Sequence, residues 1–457
     1  MEEFDVLVIG SGSGMNVAAA AAANGLKTAV VEFGPMGGTC LNRGCIPSKM
    51  LIYPADIVAI VEEAQKVGVN ANITSIDFPK IIQRMQQFVT EDSEHQAKAV
   101  EADPNLTWFN DVGEFISDYT MKVGEHTIRG KRIFVVSGAR PDLPPVKGLE
   151  SVDYLTSDTV LKLKTQPKSM IVIGGGYIAM EYGHFFSAIG TEVTIIQRSP
   201  RLLPDEEPEV SELLKEEMSS RISIYTSHAA VEAKQKSGLI TVAARSLENR
   251  QVLEFSAEAL LVAAGRVPNS GLLKPEKTGV ELDERGYIKV NEFLETSKKN
   301  IWAFGDAIGR QMFKHVANYE AEIAWHNSRH DHKAKVDYSA APHAVFTHPQ
   351  VASVGLKESE AKQQGKKILV GVSFYKDTAL GAAMGEPKGF VKVIAERDTY
   401  KLLGAHIIGP QASILIQEII NAMNTEDKTF MSIGRAMHIH PALPEVVQKA
   451  FFTLKEA

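Results

Sequence analysis

The sequence predicts an α/β chain with two Rossmann-like units and an α+β C-terminal module. The stretches 4–32 and 170–197 each read as an apolar strand, a glycine-rich turn, a helix and a second apolar strand. Because they lie far apart in the chain, they predict two separate dinucleotide-binding domains, not two halves of one. Beyond residue 337, an amphipathic helix and three apolar runs predict an antiparallel sheet with helices. These elements are the runs 368–375, 390–395 and 401–408 and the helix 412–423.

Composition and charge exclude several classes of protein. The chain has 457 residues, 44% hydrophobic and 23% charged, which suits about three globular domains. A net charge of −7 without a basic cluster disfavours nucleic-acid binding. No apolar run long enough to span a bilayer is evident, and the acidic start, residues 1–5, is unlike a signal peptide. We therefore expect a cytoplasmic protein that does not bind membranes.

Stretches rich in glycine, proline or polar residues mark the expected domain borders. Residues 137–145 and 264–269 read as crossings between domains, and the polar stretch 326–337 reads as a linker or loop. The expected segments are 1–142, 143–266, 267–336 and 337–457. Between the two glycine turns, the pattern predicts helices over 49–66 and 79–99.

The first glycine turn has most features of a pyrophosphate-binding turn. Gly10 and Gly12 fill its first two glycine positions, whereas Met15 occupies the third and Gly14 lies one residue earlier. Such a turn lets the backbone and a helix N-terminus approach a pyrophosphate. Glu32 follows the second strand, where a carboxylate binds a ribose hydroxyl. A glycine turn in an ordinary α/β domain is the alternative.

The two cysteines, Cys40 and Cys45, point to redox chemistry. Structural zinc would need two further ligands, and the chain has no other cysteine and no histidine nearby in sequence. On a regular helix, two residues five apart are separated by about 7.5 Å along the axis, too far for a relaxed disulfide. A bridge therefore requires a distorted helix start, which Gly44 permits. A strained, accessible disulfide is easily reduced.

Residues 37–49, GGTCLNRGCIPSK, closely resemble the redox-active segment of the FAD-dependent pyridine nucleotide–disulfide oxidoreductases. With the further motifs below, this resemblance covers essentially the whole chain. It implies that Cys40 exchanges with substrate and that Cys45 is a flavin-facing thiolate. It also implies that Lys49 lies near the flavin and pairs with Glu181. The implied FAD-binding residues of the first segment are Gly10, Gly12, Gly14, Glu32, Thr39 and Gly138.

The second glycine turn favours NADP over NAD. Its three fingerprint positions hold Gly174, Gly176 and Ala179, and the resemblance adds Gly265 to the cofactor-binding residues. An NAD site places a carboxylate after the next strand, whereas this chain has Gln197.

Two arginines follow that position. Arg198 and Arg201 suit a phosphate, although they could instead be solvated charges facing Asp205 and Glu206. Tyr177 matches a tyrosine that covers the flavin in glutathione reductase. Packing at the helix start is the alternative role for this residue.

Two further motifs complete the resemblance. Residues 296–306 resemble the second FAD segment, which makes Asp306 a ligand of the ribitol, and the helix beginning near residue 315 would direct its N-terminus at the flavin. In the motif at 438–445, His440 would be the base of thiol exchange and Glu445 would orient it. In the family this histidine reaches the other subunit's disulfide, so a homodimer is implied. His438 would line the pocket or cap the turn.

These parts imply electron transfer between NAD(P)H, FAD, a Cys40–Cys45 disulfide and a small dithiol or disulfide. The cysteine segment and the His-x-His-Pro spacing favour dihydrolipoamide dehydrogenase, with a lipoyl domain as a possible partner. Gln197 and the two arginines favour the alternative, an NADPH-dependent reductase of a small disulfide such as mycothione or glutathione. Mercuric reductase is disfavoured, because the C-terminus has no cysteine pair. We expect no metal at the three linker histidines, His326, His330 and His332.

Overall fold

The computed structural model describes residues 1–457, which form two compact units. The first unit comprises 1–50, 82–142 and 265–336, and the second comprises 51–81, 143–264 and 337–457. The chain therefore leaves the first unit twice and returns to it, as expected for a domain split by an inserted one. Residues 51–81, which the sequence analysis placed in the segment 1–142, belong to the second unit.

The first unit is built on a mixed sheet whose central strands are parallel. The strand order is β3-β2-β1-β6-β5-β4, and β17 also pairs with β6. The strands of this sheet are β1 (Glu2–Ile9), β2 (Thr28–Val31), β3 (Leu106–Phe109), β4 (Gly113–Ser117), β5 (Thr120–Val123), β6 (His126–Val135) and β17 (Ile301–Ala303). Two further strands, β7 (Ala139–Pro141) and β16 (Arg266–Pro268), pair with each other in a separate sheet. The helices are α1 (Gly14–Ala23), α2 (Gly38–Arg43), α3 (Cys45–Glu63), α4 (Phe78–Ala102) and α7 (Lys314–Asn327), and α3 and α4 extend into the second unit.

The second unit begins with a parallel sheet of order β11-β10-β9-β15-β8 and an antiparallel meander of β12, β13 and β14. Its strands are β8 (Tyr154–Leu155), β9 (Ser169–Ile173), β10 (Glu192–Ile196), β11 (Ile222–Tyr225), β12 (His228–Lys236), β13 (Leu239–Ser246), β14 (Val252–Ala257) and β15 (Ala259–Val262). Its helices are α5 (Tyr177–Ala188) and α6 (Pro208–Met218). The central strands β9 and β15 are almost wholly buried, which matches their continuous apolar sequences.

The C-terminal part of this unit is the predicted antiparallel sheet with helices. Its strand order is β18-β19-β22-β21-β20-β23. The strands are β18 (Pro342–Val345), β19 (Gln350–Gly355), β20 (Ile368–Phe374), β21 (Phe390–Glu396), β22 (Leu402–Gly409) and β23 (Lys455–Glu456), and the helices are α8 (Glu358–Gln363), α9 (Ala379–Ala383), α10 (Ala412–Met423), α11 (Met431–Gly434) and α12 (Pro444–Phe452). Helices α10 and α12 pack on the sheet through a common apolar core.

The two glycine turns have the same backbone geometry for the same steric reason. Gly10 has a φ of +109°, and a Cβ there would lie 2.2 Å from the carbonyl oxygen of Val136. Gly174 has a φ of +124°, and its Cβ would lie 2.2 Å from the carbonyl oxygen of Ala263. Each turn therefore passes so close to the neighbouring strand that only glycine fits.

Helix α1 corrects one detail of the first glycine motif. A Cβ on Gly14 would lie 2.8 Å from Cγ1 of Val8 on β1, so Gly14 provides the close helix–strand packing. The sequence analysis had assigned that position to Met15, one residue later. Met15 is only partly buried and packs against the edge of the core.

One helical stretch meets the length and composition of a membrane span, which the sequence was expected to lack. Residues 38–67 are long enough to cross a bilayer, and an 18-residue window within them has a mean hydropathy of 1.4. The stretch is interrupted at Gly44, and Asp56 within it is hydrogen-bonded to His184 at 2.8 Å. A core helix passes the same test of length and composition, so one such stretch is weak evidence for a membrane.

The second glycine turn gives a stability prediction. Replacing Gly174 by alanine adds a clashing Cβ at a positive φ, and we expect this to lower the free energy of unfolding by about 3 kcal/mol. Gly176→Ala is the matched control, because no heavy atom lies within 4 Å of its Cβ position; its expected cost is about 1 kcal/mol or less. Chemical denaturation without nicotinamide cofactor measures both, and equal losses would contradict the steric account.

Candidate functional site

The first glycine turn is bound to Glu32 at the end of β2. One carboxylate oxygen of Glu32 accepts from the backbone N–H and the hydroxyl of Ser11, at 3.0 and 2.9 Å, and the other accepts from Gly34 N at 2.9 Å. A carboxylate has about four acceptor positions, so one remains for a ribose hydroxyl. Glu32 therefore holds the turn in place and can still bind a ligand.

The surroundings of this turn fit a dinucleotide such as FAD. A Cβ on Gly38 would lie 2.7 Å from the Cα of Gly12, whereas the Cβ direction of Gly12 itself is open. Bare backbone is thus exposed where a pyrophosphate would approach. Thr39 follows Gly38 at the start of α2 and is half-buried. The hydroxyl of Ser137, next to Gly138, is buried without a hydrogen-bond partner, so a polar group is available to a ligand.

Asp306 and Gly265 both lie in residues 265–336, the last segment of the first unit. Burial raises the pKa of the Asp306 carboxyl, while Arg266, whose Nε lies 3.7 Å away, acts in the opposite direction. The carbonyl of Gly265, which has a φ of +151°, accepts from Asp142 N at 2.9 Å. A buried carboxyl with few partners suits a hydroxyl-rich ligand such as the ribitol of FAD.

The two cysteines meet because the helix breaks between them. Helix α2 ends at Arg43, Gly44 leaves helical geometry, and α3 begins at Cys45. Neither cysteine is in a disulfide, and the side chains of Cys40 and Cys45 are hydrogen-bonded to each other. This hydrogen bond is the main cause of the raised pKa of Cys40, followed by burial and by the charge of Cys45. Cys45 is exposed and Cys40 is half-buried. The predicted distortion at Gly44 is therefore present.

Lys314 is a cation near the thiols that the sequence analysis did not select. Burial lowers the pKa of its ammonium, whereas the charges of Cys40 and Cys45 raise it. Its Nζ donates to the hydroxyl of Ser13 in the first glycine turn, at 3.1 Å. The residue begins α7, the helix expected to point at the flavin. Its place at the start of that helix was the available signal.

The second glycine turn presents an open backbone at the start of α5. Gly176 is the N-cap of this helix and Tyr177, half-buried, is its first residue. Ala179 is fully buried, as the third fingerprint position requires for close packing. The turn therefore has room for a pyrophosphate above the helix N-terminus.

Gln197 and the two arginines follow β10, and no carboxylate pairs with either arginine there. Gln197 is buried, packs against Gly175 and donates from Nε2 to the carbonyl of Arg201 at 3.3 Å. Arg198 is exposed, and neither arginine takes part in any of the ion pairs. The Nε of Arg201 is buried without a hydrogen-bond partner. The alternative in which Glu206 faces the arginines is wrong, because Glu206 contacts His343 and Ser353.

Glu181 and Lys49 are each hydrogen-bonded, but their predicted pairing stays a prediction. Glu181 is 5% exposed and its Oε1 accepts from Phe346 N at 3.2 Å. Lys49 donates from Nζ to the hydroxyl of Ser48 at 3.3 Å.

Two histidines of the C-terminal loop are each paired with a glutamate on a neighbouring helix, and they differ in exposure. Nδ1 of His440 is hydrogen-bonded to Glu445 at 2.9 Å, and the imidazole is 73% exposed. This contact is the main cause of the lowered pKa of Glu445. Nε2 of His438 is hydrogen-bonded to Glu418 at 2.8 Å, but this imidazole is only 6% exposed. His440 is therefore the one whose free nitrogen can meet a substrate.

The linker histidines contact backbone groups of their own segment. His326 lies in the last turn of α7, and its Nε2 is hydrogen-bonded to the carbonyl of His332 at 2.8 Å. Nδ1 of His330 is hydrogen-bonded to the carbonyl of His326 at 3.0 Å. No group of three or more histidine, cysteine or acidic residues is arranged to hold a metal.

Comparisons with known proteins agree with this site. Residues 4–321 match the family described as "Pyridine nucleotide-disulphide oxidoreductase", and residues 341–451 match its dimerisation domain. Mycothione reductase of Mycobacterium tuberculosis is 36% identical over 469 aligned positions that cover all of both chains. Dihydrolipoyl dehydrogenase of Chlamydia muridarum is 36% identical over 454 positions, 97% of this chain and 95% of the relative.

A solved structure shows the same fold. It is the Cu(II) complex of the HOCl-induced flavoprotein disulfide reductase RclA from Escherichia coli, which aligns over 99% of each chain with a TM-score of 0.88 and 25% identity. Members of the matched family use FAD and NAD(P)H. Glycine turns, a hydrogen-bonded cysteine pair and two full-length relatives thus lead to one conclusion: the chain belongs to the class I pyridine nucleotide–disulfide oxidoreductases.

Proposed function

We propose that the protein is an NADPH-dependent reductase of a small disulfide. The observation that carries this proposal is the end of β10, where a buried glutamine replaces the carboxylate of an NAD site. The adjoining Arg201 has a buried Nε without a partner, and Arg198 is exposed. Two unpaired guanidinium groups suit the 2′-phosphate of NADPH and have no partner in NADH.

The residues of the first unit support FAD as the resident cofactor. Gly10, Gly12, Gly14, Glu32, Thr39, Gly138, Gly265 and Asp306 would hold it. When bound, FAD supplies the two-electron chemistry that links NADPH oxidation to reduction of the cysteine disulfide.

The cysteines perform the exchange with substrate. The Cys40 thiolate attacks the substrate disulfide, forms a mixed disulfide and releases the first substrate thiolate. The Cys45 thiolate then attacks the Cys40 sulfur, which releases the second thiolate and closes the Cys40–Cys45 disulfide. Two electrons from NADPH restore the dithiol. Each released thiolate takes up a proton, so one disulfide yields two thiols.

A base is required because the Cys40 pKa is raised. At neutral pH this thiol is protonated and a poor nucleophile. We assign the proton transfer to His440, which is exposed and oriented by Glu445. In the dimer, His440 of the partner subunit would serve Cys40. The exposed apolar side chains of Met437 and Ile439 in the same loop support a subunit contact there.

Dihydrolipoamide dehydrogenase activity is the second candidate. The same groups run the exchange in reverse, from a dithiol to NAD⁺ or NADP⁺, and the Chlamydia relative carries that name. A lipoyl domain would then be the partner. The expected domain segments, apart from residues 51–81, and the cytoplasmic location remain part of the proposal under either candidate.

The proposal predicts a preference for NADPH that depends on the arginines. With mycothione, glutathione and lipoamide disulfides as substrates, we expect kcat/KM to be higher with NADPH than with NADH. Arg198→Ala and Arg201→Ala should each lower kcat/KM for NADPH about tenfold and change that for NADH less than about threefold.

Arg245→Ala, which removes an exposed arginine from β13, is the matched control and should change neither value. Brisk reduction of NAD⁺ by dihydrolipoamide, with no turnover of the small disulfides by NADPH, would establish the second candidate instead.

The paired histidines predict different effects for two equivalent substitutions. Glu445→Gln should lower turnover about tenfold with little change in Tm, because the imidazole that loses its charged partner is exposed and glutamine keeps an oxygen that can accept from Ala442 N. Glu418→Gln should lower Tm, because it removes the partner of a buried imidazole, and leave turnover within about threefold. Steady-state kinetics and thermal unfolding measure both, and loss of turnover in Glu418→Gln alone would reverse the assignment of the two histidines.

A further inference from the structure

The segment that carries the arginines is hydrogen-bonded, through a residue near its middle, to the second glycine turn. It spans residues 197–207, between β10 and α6. Leu203, 5% exposed, donates from its backbone N–H to the carbonyl of Gly175 at 2.8 Å. The carbonyl of Leu203 accepts from Glu206 N and from the Ser211 hydroxyl. The backbone of this arginine loop is therefore held between the nucleotide-binding turn and helix α6.

The end of the same loop is anchored in the C-terminal sheet. Glu206 is 4% exposed; its Oε1 is paired with Nε2 of His343 on β18, and its Oε2 accepts from the hydroxyl of Ser353 on β19. Burial disfavours the charged form of both groups, but the contacts between them outweigh it. The pKa of His343 is therefore raised and that of Glu206 is lowered. The contact is thus a buried ion pair between the arginine loop and a strand of the dimerisation part, residues 341–451.

Glu207 forms a second buried contact beside the first. It is 2% exposed, and its carboxylate lies 3.3 Å from Nζ of Lys392 on β21 and accepts from Glu358 N. Lys392, itself 3% exposed, also contacts Glu209 at 3.0 Å and Glu358 at 2.8 Å. Consecutive glutamates at the end of the loop therefore both point into the C-terminal sheet.

Such a cluster is better suited to fixing a position than to adding stability. Burying several charges costs desolvation energy that their mutual attraction only partly offsets, so the net gain in stability is small. Their geometry, in contrast, is strictly defined, because any displacement leaves a buried charge without its partner. The loop end is therefore held in one position. The hydrogen bonds of Leu203 then fix the backbone between the loop end and the two arginines.

We propose that Glu206 is a positioning residue for cofactor specificity: by anchoring the arginine loop to the C-terminal sheet, it places Arg198 and Arg201 to bind the 2′-phosphate of NADPH. This inference rests on the proposed function. It makes the dimerisation part of the chain a contributor to the choice between NADPH and NADH. Glu206 acts through the loop and touches neither cofactor nor substrate.

The sign of the mutational effect separates positioning from simple electrostatics. Glu206→Gln removes a negative charge near the phosphate site, and by Coulomb's law alone this would strengthen binding of an anion. Loss of the anchor predicts the opposite, weaker binding. Glu209→Gln is the matched control, because it removes the same charge from a half-exposed partner of Lys392 on α6, outside the loop.

The test uses the FAD-loaded protein and two probes, adenosine 2′,5′-bisphosphate and 5′-AMP, with Kd measured by calorimetry. In Glu206→Gln we expect about tenfold weaker binding of the bisphosphate and a change of less than about twofold for 5′-AMP, with kcat at saturating NADPH retained. In Glu209→Gln the bisphosphate should bind as well as in the wild type or better. Ser353→Ala, a milder change that leaves the ion pair, should weaken the bisphosphate about threefold and keeps the test valid if Glu206→Gln does not fold.

Three results would overturn the inference. Unchanged or tighter bisphosphate binding in both Glu206→Gln and Ser353→Ala would show that the anchor does not position the loop. Equal weakening of both probes would show a general loss of the nucleotide site. Equal affinity of the wild type for the two probes would mean that no 2′-phosphate site exists; that result alone would also remove the NADPH proposal.

Discussion

The redox site depends on the close approach of backbone at Gly44. A Cβ at this position would lie 3.0 Å from the carbonyl oxygen of Thr39 and 3.3 Å from the Cα of Cys40, so a side chain would require the neighbouring backbone to shift by a few tenths of an ångström. With glycine, α2 stops and α3 restarts within one residue, and two thiols that a regular helix would separate come into hydrogen-bond contact. The chemistry of Cys40 and Cys45 follows from that contact.

Each unit has its own charged groups and open backbone. Glycine turns with positive φ expose N–H groups to a pyrophosphate, Glu32 leaves an acceptor for a ribose, and Lys314 connects the first turn electrostatically with the thiols. In the second unit, the C-terminal module holds His440 in the loop before α12, and its sheet contacts the end of the arginine loop. One α+β module thus carries the residues of both the proposed thiol exchange and the proposed cofactor preference.

Features encoded by local pattern could be predicted, and features made by distant contacts could not. The glycine turns, the two strands that flank each of them and helix Ala412–Met423 follow from periodicity and turn chemistry within about twenty residues. The distortion at Gly44 follows from the spacing of two cysteines. From the sequence, Glu206 was considered only as a charge facing the arginines and Glu207 received no role, because nothing near them in sequence shows that His343, Ser353 and Lys392 contact them. The packing role of Gly14 was missed for a different reason: its contact, Val8, lies only six residues earlier, but the spacing of the glycine motif assigned that role to Met15.

The most direct test of the central claim is a count of thiols, because the chain has only two cysteines. Protein purified in air is denatured with and without prior anaerobic reduction by NADPH or NADH, and its thiols are titrated after removal of the nucleotide. The account predicts no free thiol before reduction and two per chain after it, because nicotinamide electrons pass to the Cys40–Cys45 disulfide. Two free thiols in both samples, or none after reduction, would contradict it.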